Sequence, residues 1–168
     1  MSSDFMSSGT GGDGDLSGAH EGLFADAQAD RDRTLAAVRM LEAALARPAG
    51  GEDWVARLRS SLEVLAHAMA EEQTDLERPD SLFTMISSER PRRFGPRVRG
   101  IRDQYIDISR QLESFRRELD GDELTLNEIG DLRHRAAWIV RALSNCRDRQ
   151  ADLVYEAVGL DLGEQHGR

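Results

Sequence analysis

Residues 98–119, V-R-G-I-R-D-Q-Y-I-D-I-S-R-Q-L-E-S-F-R-R-E-L, carry apolar side chains at intervals that mostly alternate between three and four residues. The apolar positions are Val98, Ile101, Ile108, Leu112, Phe115 and Leu119. This spacing places the side chains on one stripe of an α-helix, and it is typical of helices that cross at about 20°. The stretch therefore predicts a long helix packed lengthwise against neighbours.

The same periodicity continues through three other segments of the chain. They extend from about Asp26 to Ala46, from Asp53 to Leu76, and from Thr125 to Gly159. No alternation typical of a β-strand appears. Four helices with short connections predict an all-α protein, an up-down-up-down four-helix bundle. The alternative architecture is a helical hairpin that dimerises to complete a bundle.

Local signals suggest where these helices begin and end. Pro96 is suited to the first turn of the third helix, and residues 81–95 before it are expected to form an irregular connector. Thr125 and Glu128 form a capping box for the fourth helix, and Gly159 can terminate it.

Composition predicts one folded domain preceded by a tail. Residues 1–22 are rich in Gly, Ser and Asp and are expected to be a disordered acidic tail, followed by the bundle over 23–164 and a short tail at 165–168. No apolar run is long enough to cross a membrane. The single cysteine, Cys146, fits a reducing cytoplasm, and the net charge of -9 argues against nucleic acid as a partner.

Polar residues interrupt the apolar stripe of every helix. The interruptions, called the polar layer below, are Arg31, Glu72, Tyr105, Cys146 and Gln150. Because each falls at a stripe position, all five are expected to face the bundle axis. In the first helix, either residue 34 or residue 35 follows Arg31 on the stripe.

His67 and Glu71 stand one helical turn apart, a spacing that can hold a metal ion. His67, however, lies two residues from Leu65 and Met69, about 200° around the helix from either. The pair is therefore interpreted as outer helix surface.

Three stretches resemble the hemerythrin-like (HHE) domain family. They are E-R-P-D-S-L-F-T-M-I at 77–86, P-R-R-F-G-P-R-V-R-G-I-R-D-Q-Y at 91–105, and A-D-L-V-Y-E-A-V-G-L-D-L-G at 151–163. The resemblance covers about residues 26–164. It implies a four-helix bundle in which inward His and carboxylate side chains hold two irons.

Most of the ligand positions that the resemblance implies are occupied by other residue types. The expected histidines fall near Arg31, at Glu72 and at Cys146, and a Glu-His pair is replaced by Gln104 and Tyr105. Of the expected ligand positions, only Glu77 and Glu72 hold carboxylates; with Tyr105, they form the reduced set of candidate metal ligands. In another register His67 and Glu71 would supply the second-helix ligands, although at least three histidines would still be absent.

These departures predict that the iron centre has been lost and that no cofactor is bound. A buried Glu72 then needs a partner, and we expect an ion pair with Arg31, hydrogen-bonded by Tyr105 and Gln150. The resulting hypothesis is a non-enzymatic binding or regulatory module for a protein or small-molecule partner. The alternative is an iron-binding oxygen or redox sensor that uses the reduced ligand set.

Overall fold

The computed structural model describes residues 13–49, 52–121 and 126–165, and its regular structure over these ranges is entirely helical. The helices are α1 (Asp13–Leu45), α2 (Glu52–Glu77), α3 (Leu82–Glu89), α4 (Pro91–Leu119) and α5 (Leu126–Gln165). The prediction of an all-α protein is confirmed. Four of these helices are long, and α3 is a short helix between α2 and α4.

Contacts along α1 fix the direction of its neighbours. Near the C-terminal end of α1, Trp54 of α2 donates a hydrogen bond to the carbonyl of Ala44 at 3.1 Å. Closer to the middle of α1, Thr34 contacts Glu72 near the end of α2, so α1 and α2 are antiparallel. Arginines of α5 bind two carbonyls in the same reversed order, since Arg133 reaches Arg47 just after α1 and Arg147 reaches Arg31 within it.

The helix α4 completes the arrangement by packing against both α2 and α5. Arg59, early in α2, donates to the carbonyl of Leu119 at the end of α4. Arg135, early in α5, pairs with Glu118 of α4. Each long helix therefore contacts the next one along the chain, and α5 returns to contact α1.

The apolar stripe of residues 98–119 forms one side of the core, as its spacing predicts. All of its members are at most 2% exposed: Val98, Ile101, Tyr105, Ile108, Leu112, Phe115 and Leu119. On α1 the stripe passes through Thr34, which is 0% exposed, whereas Leu35 is 37% exposed. The choice that the sequence left open is thus resolved in favour of the polar residue.

The helix α1 begins at Asp13, although the sequence placed its start near Asp26 and assigned residues 1–22 to a disordered tail. Leu23 and Ala27 are partly buried, so this part of α1 packs on the rest of the molecule. The earlier part of the predicted tail, residues 1–12, lies outside the described residues.

The segment 81–95, expected to be irregular, is almost entirely helical. Ser81 caps α3 by accepting a hydrogen bond from the amide of Thr84 at 3.2 Å. Leu82, Phe83 and Ile86 are buried, which gives α3 one apolar side. Pro91, rather than Pro96, occupies the first turn of α4, and Pro96 lies inside that helix.

The helix α5 begins at Leu126 and continues through Gly159 to Gln165, so the prediction that Gly159 ends it is wrong. Glycine inside a helix costs only about 1 kcal/mol relative to alanine, which the rest of a long helix can offset. Thr125 of the predicted capping box and residues 166–168 of the predicted C-terminal tail lie outside the described residues.

Candidate functional site

Glu72 is the centre of the polar layer, and it is satisfied by hydroxyl groups. Its Oε2 accepts hydrogen bonds from Thr34 Oγ1 at 2.6 Å and from Tyr105 Oη at 2.9 Å. All three side chains are at most 4% exposed. Hydrogen bonds to an ionised acceptor are about twice as strong as neutral ones, so two of them can hold a carboxylate in the core.

The expected ion pair between Arg31 and Glu72 does not form. Among the described residues, no carboxylate lies within ion-pair distance of Arg31, and its guanidinium carbon lies 6.0 Å from the centroid of the Phe83 ring. Burial lowers the pKa of Arg31, whereas the charge of Glu72 raises it and that of Arg147 lowers it. The two groups therefore interact through their charges without direct contact.

The ion pair between Arg31 and Glu72 is absent for a physical reason, which is the free-energy cost of removing charges from water. A buried ion pair requires both partners to be desolvated, whereas a neutral hydroxyl is far cheaper to bury. Thr34 and Tyr105 meet the needs of Glu72, and Arg31 keeps part of its side chain in solvent.

Gln150 is buried beside Glu72 on the cavity lining, but it does not donate the hydrogen bond to Glu72 that the sequence suggested. The side chain is 0% exposed, and within the described ranges neither Oε1 nor Nε2 has a hydrogen-bond partner. A buried amide without partners is unusual, because leaving a buried polar group unsatisfied costs about 1–3 kcal/mol.

Cys146 and Tyr105 also lie in the layer, and both remain protonated at neutral pH. Burial is the main cause that raises the pKa of the Cys146 thiol to about 11, and the nearby Glu72 carboxylate raises it further. Burial and the charge of Glu72 likewise raise the pKa of Tyr105 above its ordinary value. Tyr105 is thus a hydrogen-bond donor to Glu72, and Cys146 is a neutral apolar side chain.

A cavity of about 30 Å³ lies beside this layer, where α1, α2, α3 and α5 meet. Its polar lining includes Asp30, Arg31, Glu72 and Gln150. Asp30 is 3% exposed; its Oδ1 pairs with Arg33, and its Oδ2 has no hydrogen-bond partner in the described part of the chain. Arg31 Nη2 is also buried and has no hydrogen-bond partner among the described residues.

Two residues of this site were missed by sequence reasoning. Thr34 supplies the shortest hydrogen bond to Glu72, and Asp30 lines the cavity. The sequence did contain a signal for them. Asp30 and Thr34 are one helical turn apart, and Leu41 continues the same helical spacing into the core stripe of α1. A charged residue and a hydroxyl residue one turn apart can therefore mark the inward face of a helix, as an apolar pair does.

The residues present do not fit a di-iron centre. Glu72 already accepts two hydroxyl hydrogen bonds, and the cation Arg31 lines the same cavity. Inward imidazoles are needed for such a centre. The structure shows no group of three or more His, Cys, Asp or Glu side chains able to hold a metal ion among the residues it describes.

The remaining metal candidates lie on the surface. Glu77 is exposed, accepts a hydrogen bond from Gln73 at 3.0 Å and does not line the cavity. His67 has 79% of its side chain exposed and lies 3.4 Å from Glu71, with Nε2 facing Oε1. His67 and Glu71 thus belong to the outer face of α2, where their spacing placed them.

The chain matches no family model, no curated protein and no solved structure. Nor does any helix within the described ranges have the length and apolar character needed to cross a membrane.

Proposed function

We propose that this protein is a non-enzymatic, hemerythrin-like up-down-up-down bundle that has lost its di-iron site and acts as a binding or regulatory module. The observation that carries the proposal is the pair of hydroxyl hydrogen bonds to Glu72. A carboxylate at a family ligand position has been given protein donors in place of a metal. Glu72, Thr34 and Tyr105 then form a hydrogen-bonded group that needs no metal.

Electrostatics supports the same conclusion. Arg31 and Glu72 line one cavity, and burial lowers the pKa of Arg31 while the charge of Glu72 opposes that shift. A metal centre placed beside Arg31 would have to overcome the repulsion of a permanent cation. The substitution of a family histidine by arginine thus favours a metal-free site.

The absence of a catalytic role is proposed from the protonation states of the reactive groups. A nucleophilic cysteine needs a lowered pKa, whereas burial raises that of Cys146 to about 11. Tyr105 is likewise held as the protonated phenol. Groups held in these states are poorly suited to proton transfer near pH 7.

The cavity beside the layer is the place where such a module would bind a small molecule. It is formed by four helices, including the short helix α3 and the N-terminal part of α1. A ligand there would contact both elements and could change how they pack. We propose that such a change in the packing of α1 and α3 transmits binding to the surface of the protein. We also propose that the protein acts in the cytoplasm.

Metal analysis of purified protein tests the proposal. We expect less than stoichiometric iron by mass spectrometry and no visible charge-transfer band after growth with added iron. Glu72→Gln should leave the metal content unchanged. Stoichiometric iron that is lost in Glu72→Gln would contradict the proposal and favour an iron sensor that uses Glu72 and Tyr105.

A further inference from the structure

Three residues that line the cavity beside the polar layer have buried polar atoms without partners among the described residues, four atoms in all. They are Asp30 Oδ2, Arg31 Nη2, Gln150 Oε1 and Gln150 Nε2. Gln150 is 0% exposed and Asp30 is 3% exposed, and both line the cavity. Unsatisfied groups of this kind are rare in native interiors, and their occurrence in three residues of one cavity lining is the observation from which a ligand is inferred.

The four atoms divide evenly into donors and acceptors. Asp30 Oδ2 and Gln150 Oε1 are acceptors, whereas Arg31 Nη2 and Gln150 Nε2 are donors. A primary carboxamide offers the complementary set, since it has two N–H donors and a carbonyl oxygen with two lone pairs. One edge of such an amide can pair with the Gln150 amide through two hydrogen bonds, which leaves its other N–H for Asp30 and its other lone pair for Arg31.

We propose that this cavity binds a small molecule through a primary carboxamide group, with Gln150, Asp30 and Arg31 as its recognition residues. The inference rests on the proposed function, because it takes the cavity to be the binding site of a metal-free module. No covalent chemistry is involved.

Charge selects a neutral ligand over an ion. A carboxylate could accept from Arg31 and Gln150, but the cavity lining holds four carboxylates and only two cations among the described residues: Asp26, Asp30, Glu72 and Asp75, with Arg31 and Arg78. An ammonium group could donate to Asp30 but would leave Arg31 and Gln150 Nε2 unpartnered. A neutral amide satisfies both sides without adding a charge to a buried site.

The apolar part of the lining indicates what the carboxamide is attached to. Leu23, Ala27, Leu76, Leu82 and Phe83 line the cavity together with the polar groups. The volume of about 30 Å³ admits a headgroup of a few atoms rather than a drug-sized molecule. A short alkyl substituent directed toward these side chains would fit.

Water is the competing occupant. A site of about 30 Å³ can hold one or two water molecules, which also combine donors with acceptors. A carboxamide gains over water because its alkyl part buries apolar surface against Leu76, Leu82 and Phe83. The alkyl group should therefore matter for affinity as much as the amide does.

Titration of ¹⁵N-labelled full-length protein with propionamide, followed by amide chemical shifts, tests the inference. We expect saturable binding in the millimolar range, with shifts concentrated at the cavity residues. Propionate, propylammonium and N,N-dimethylpropionamide each lack part of the donor and acceptor set. Each of the three should bind at least about tenfold more weakly.

Variants then connect binding to the named residues. Gln150→Leu should weaken propionamide binding at least about tenfold, and Arg31→Met, at a partly exposed position, provides a second variant should the first fail to fold. Gln111→Leu, on the exposed side of α4, is the matched control and should bind like the wild type.

The outcomes separate this inference from the function on which it rests. Equal binding of all four probes, or full affinity in Gln150→Leu, would overturn the carboxamide assignment. So would the absence of binding to iron-free protein, which would leave water as the occupant while the metal-free module stands. Stoichiometric iron in the same preparation would overturn both proposals.

Discussion

The two halves of this bundle follow one helical spacing but contain different chemistry. In the apolar half, where α2 and α5 begin and α1 and α4 end, the stripe residues are hydrocarbon: Leu41, Leu58, Phe115, Leu119, Leu132 and Ala136. In the other half, the same stripes pass through Thr34, Glu72, Tyr105, Cys146 and Gln150. Both sets are at most 5% exposed.

The comparison shows that burial and hydrophobicity are separate properties of a helix position. The apolar half is stabilised by removing hydrocarbon from water and by close packing. The polar layer adds little hydrophobic stabilisation, and its stability depends on whether each polar atom finds a partner. Glu72 has its partners, whereas Gln150 has none among the described residues. Substitutions in the two regions should therefore differ in size and even in sign.

The largest effect is expected in the apolar half. Phe115→Ala removes a ring that is 0% exposed and should lower the free energy of unfolding by about 3–5 kcal/mol, through lost burial and the cavity left behind. Urea denaturation followed by circular dichroism measures it. Leu35→Ala, at a leucine that is 37% exposed, is the control and should cost about 1 kcal/mol or less. Similar losses in both variants would refute the assigned core.

Glu72→Ala should give the next largest loss, about 2–4 kcal/mol, because it deprives Tyr105 and Thr34 of a charged acceptor in the core. Glu71→Ala is a closely matched control, since its side chain is 43% exposed and its ion pairs with described residues are those with Arg33 and His67. That variant should stay within about 0.5 kcal/mol of the wild type. Equal effects at positions 71 and 72 would show that the layer is not closed around Glu72.

The part of this contrast that follows from the sequence is the position of each residue around its helix. Periodicity placed Glu72, Tyr105, Cys146 and Gln150 inward, and the structure buries all four. It also placed His67 outward. Which inward groups bond to one another depends on side-chain direction and on desolvation, and neither is visible in a spacing pattern.

The expectation that opposite charges pair led to the wrong partner for Glu72. It favoured Arg31 as the partner of Glu72, although neutral hydroxyls can satisfy a carboxylate at lower desolvation cost. Hydrophobicity alone would likewise have chosen Leu35 over Thr34 for the α1 stripe. The acceptor at Glu72 explains why the threonine is the buried one.

The helix α3 and the C-terminal end of α5 were not predicted from the sequence, and the physical causes differ. The helix α3 has only eight residues, so it offers too few periods to distinguish a helix from an irregular segment, although Ser81 was a usable cap signal. The continuation of α5 through Gly159 was missed because a glycine both ends helices and is tolerated within them.

A smaller, pH-dependent effect should arise in the polar layer. The folded protein raises the pKa of Cys146 from its ordinary value of 9.0 to about 11, so above pH 9 the unfolded chain releases a proton that the folded chain retains. Stability contributed by the neutral thiol is complete below that range and falls as the pH rises through it. Between about pH 8 and about pH 10 the free energy of unfolding should fall by about 1 kcal/mol from this residue.

Cys146→Ala should show a correspondingly smaller fall over the same interval, measured by urea denaturation under reducing conditions. The comparison uses the change with pH in each protein, so the packing lost with the sulfur atom does not affect it. The interval stays near or below the ordinary pKa of tyrosine, which limits the contribution of Tyr105. An identical pH dependence in both proteins would contradict a buried neutral thiol.

The smallest change, and the one of opposite sign, is expected for Gln150→Leu. The leucine has a similar volume and removes two polar atoms that are buried without partners in the described structure, so the unliganded variant should be as stable as the wild type or up to about 1 kcal/mol more stable. Differential scanning calorimetry at equal protein concentration measures the difference. A loss above about 2 kcal/mol would mean that Gln150 makes strong hydrogen bonds in the unliganded protein. Gln150 would then be part of a hydrogen-bonded layer together with Glu72, and it would not be a recognition residue of an open ligand site.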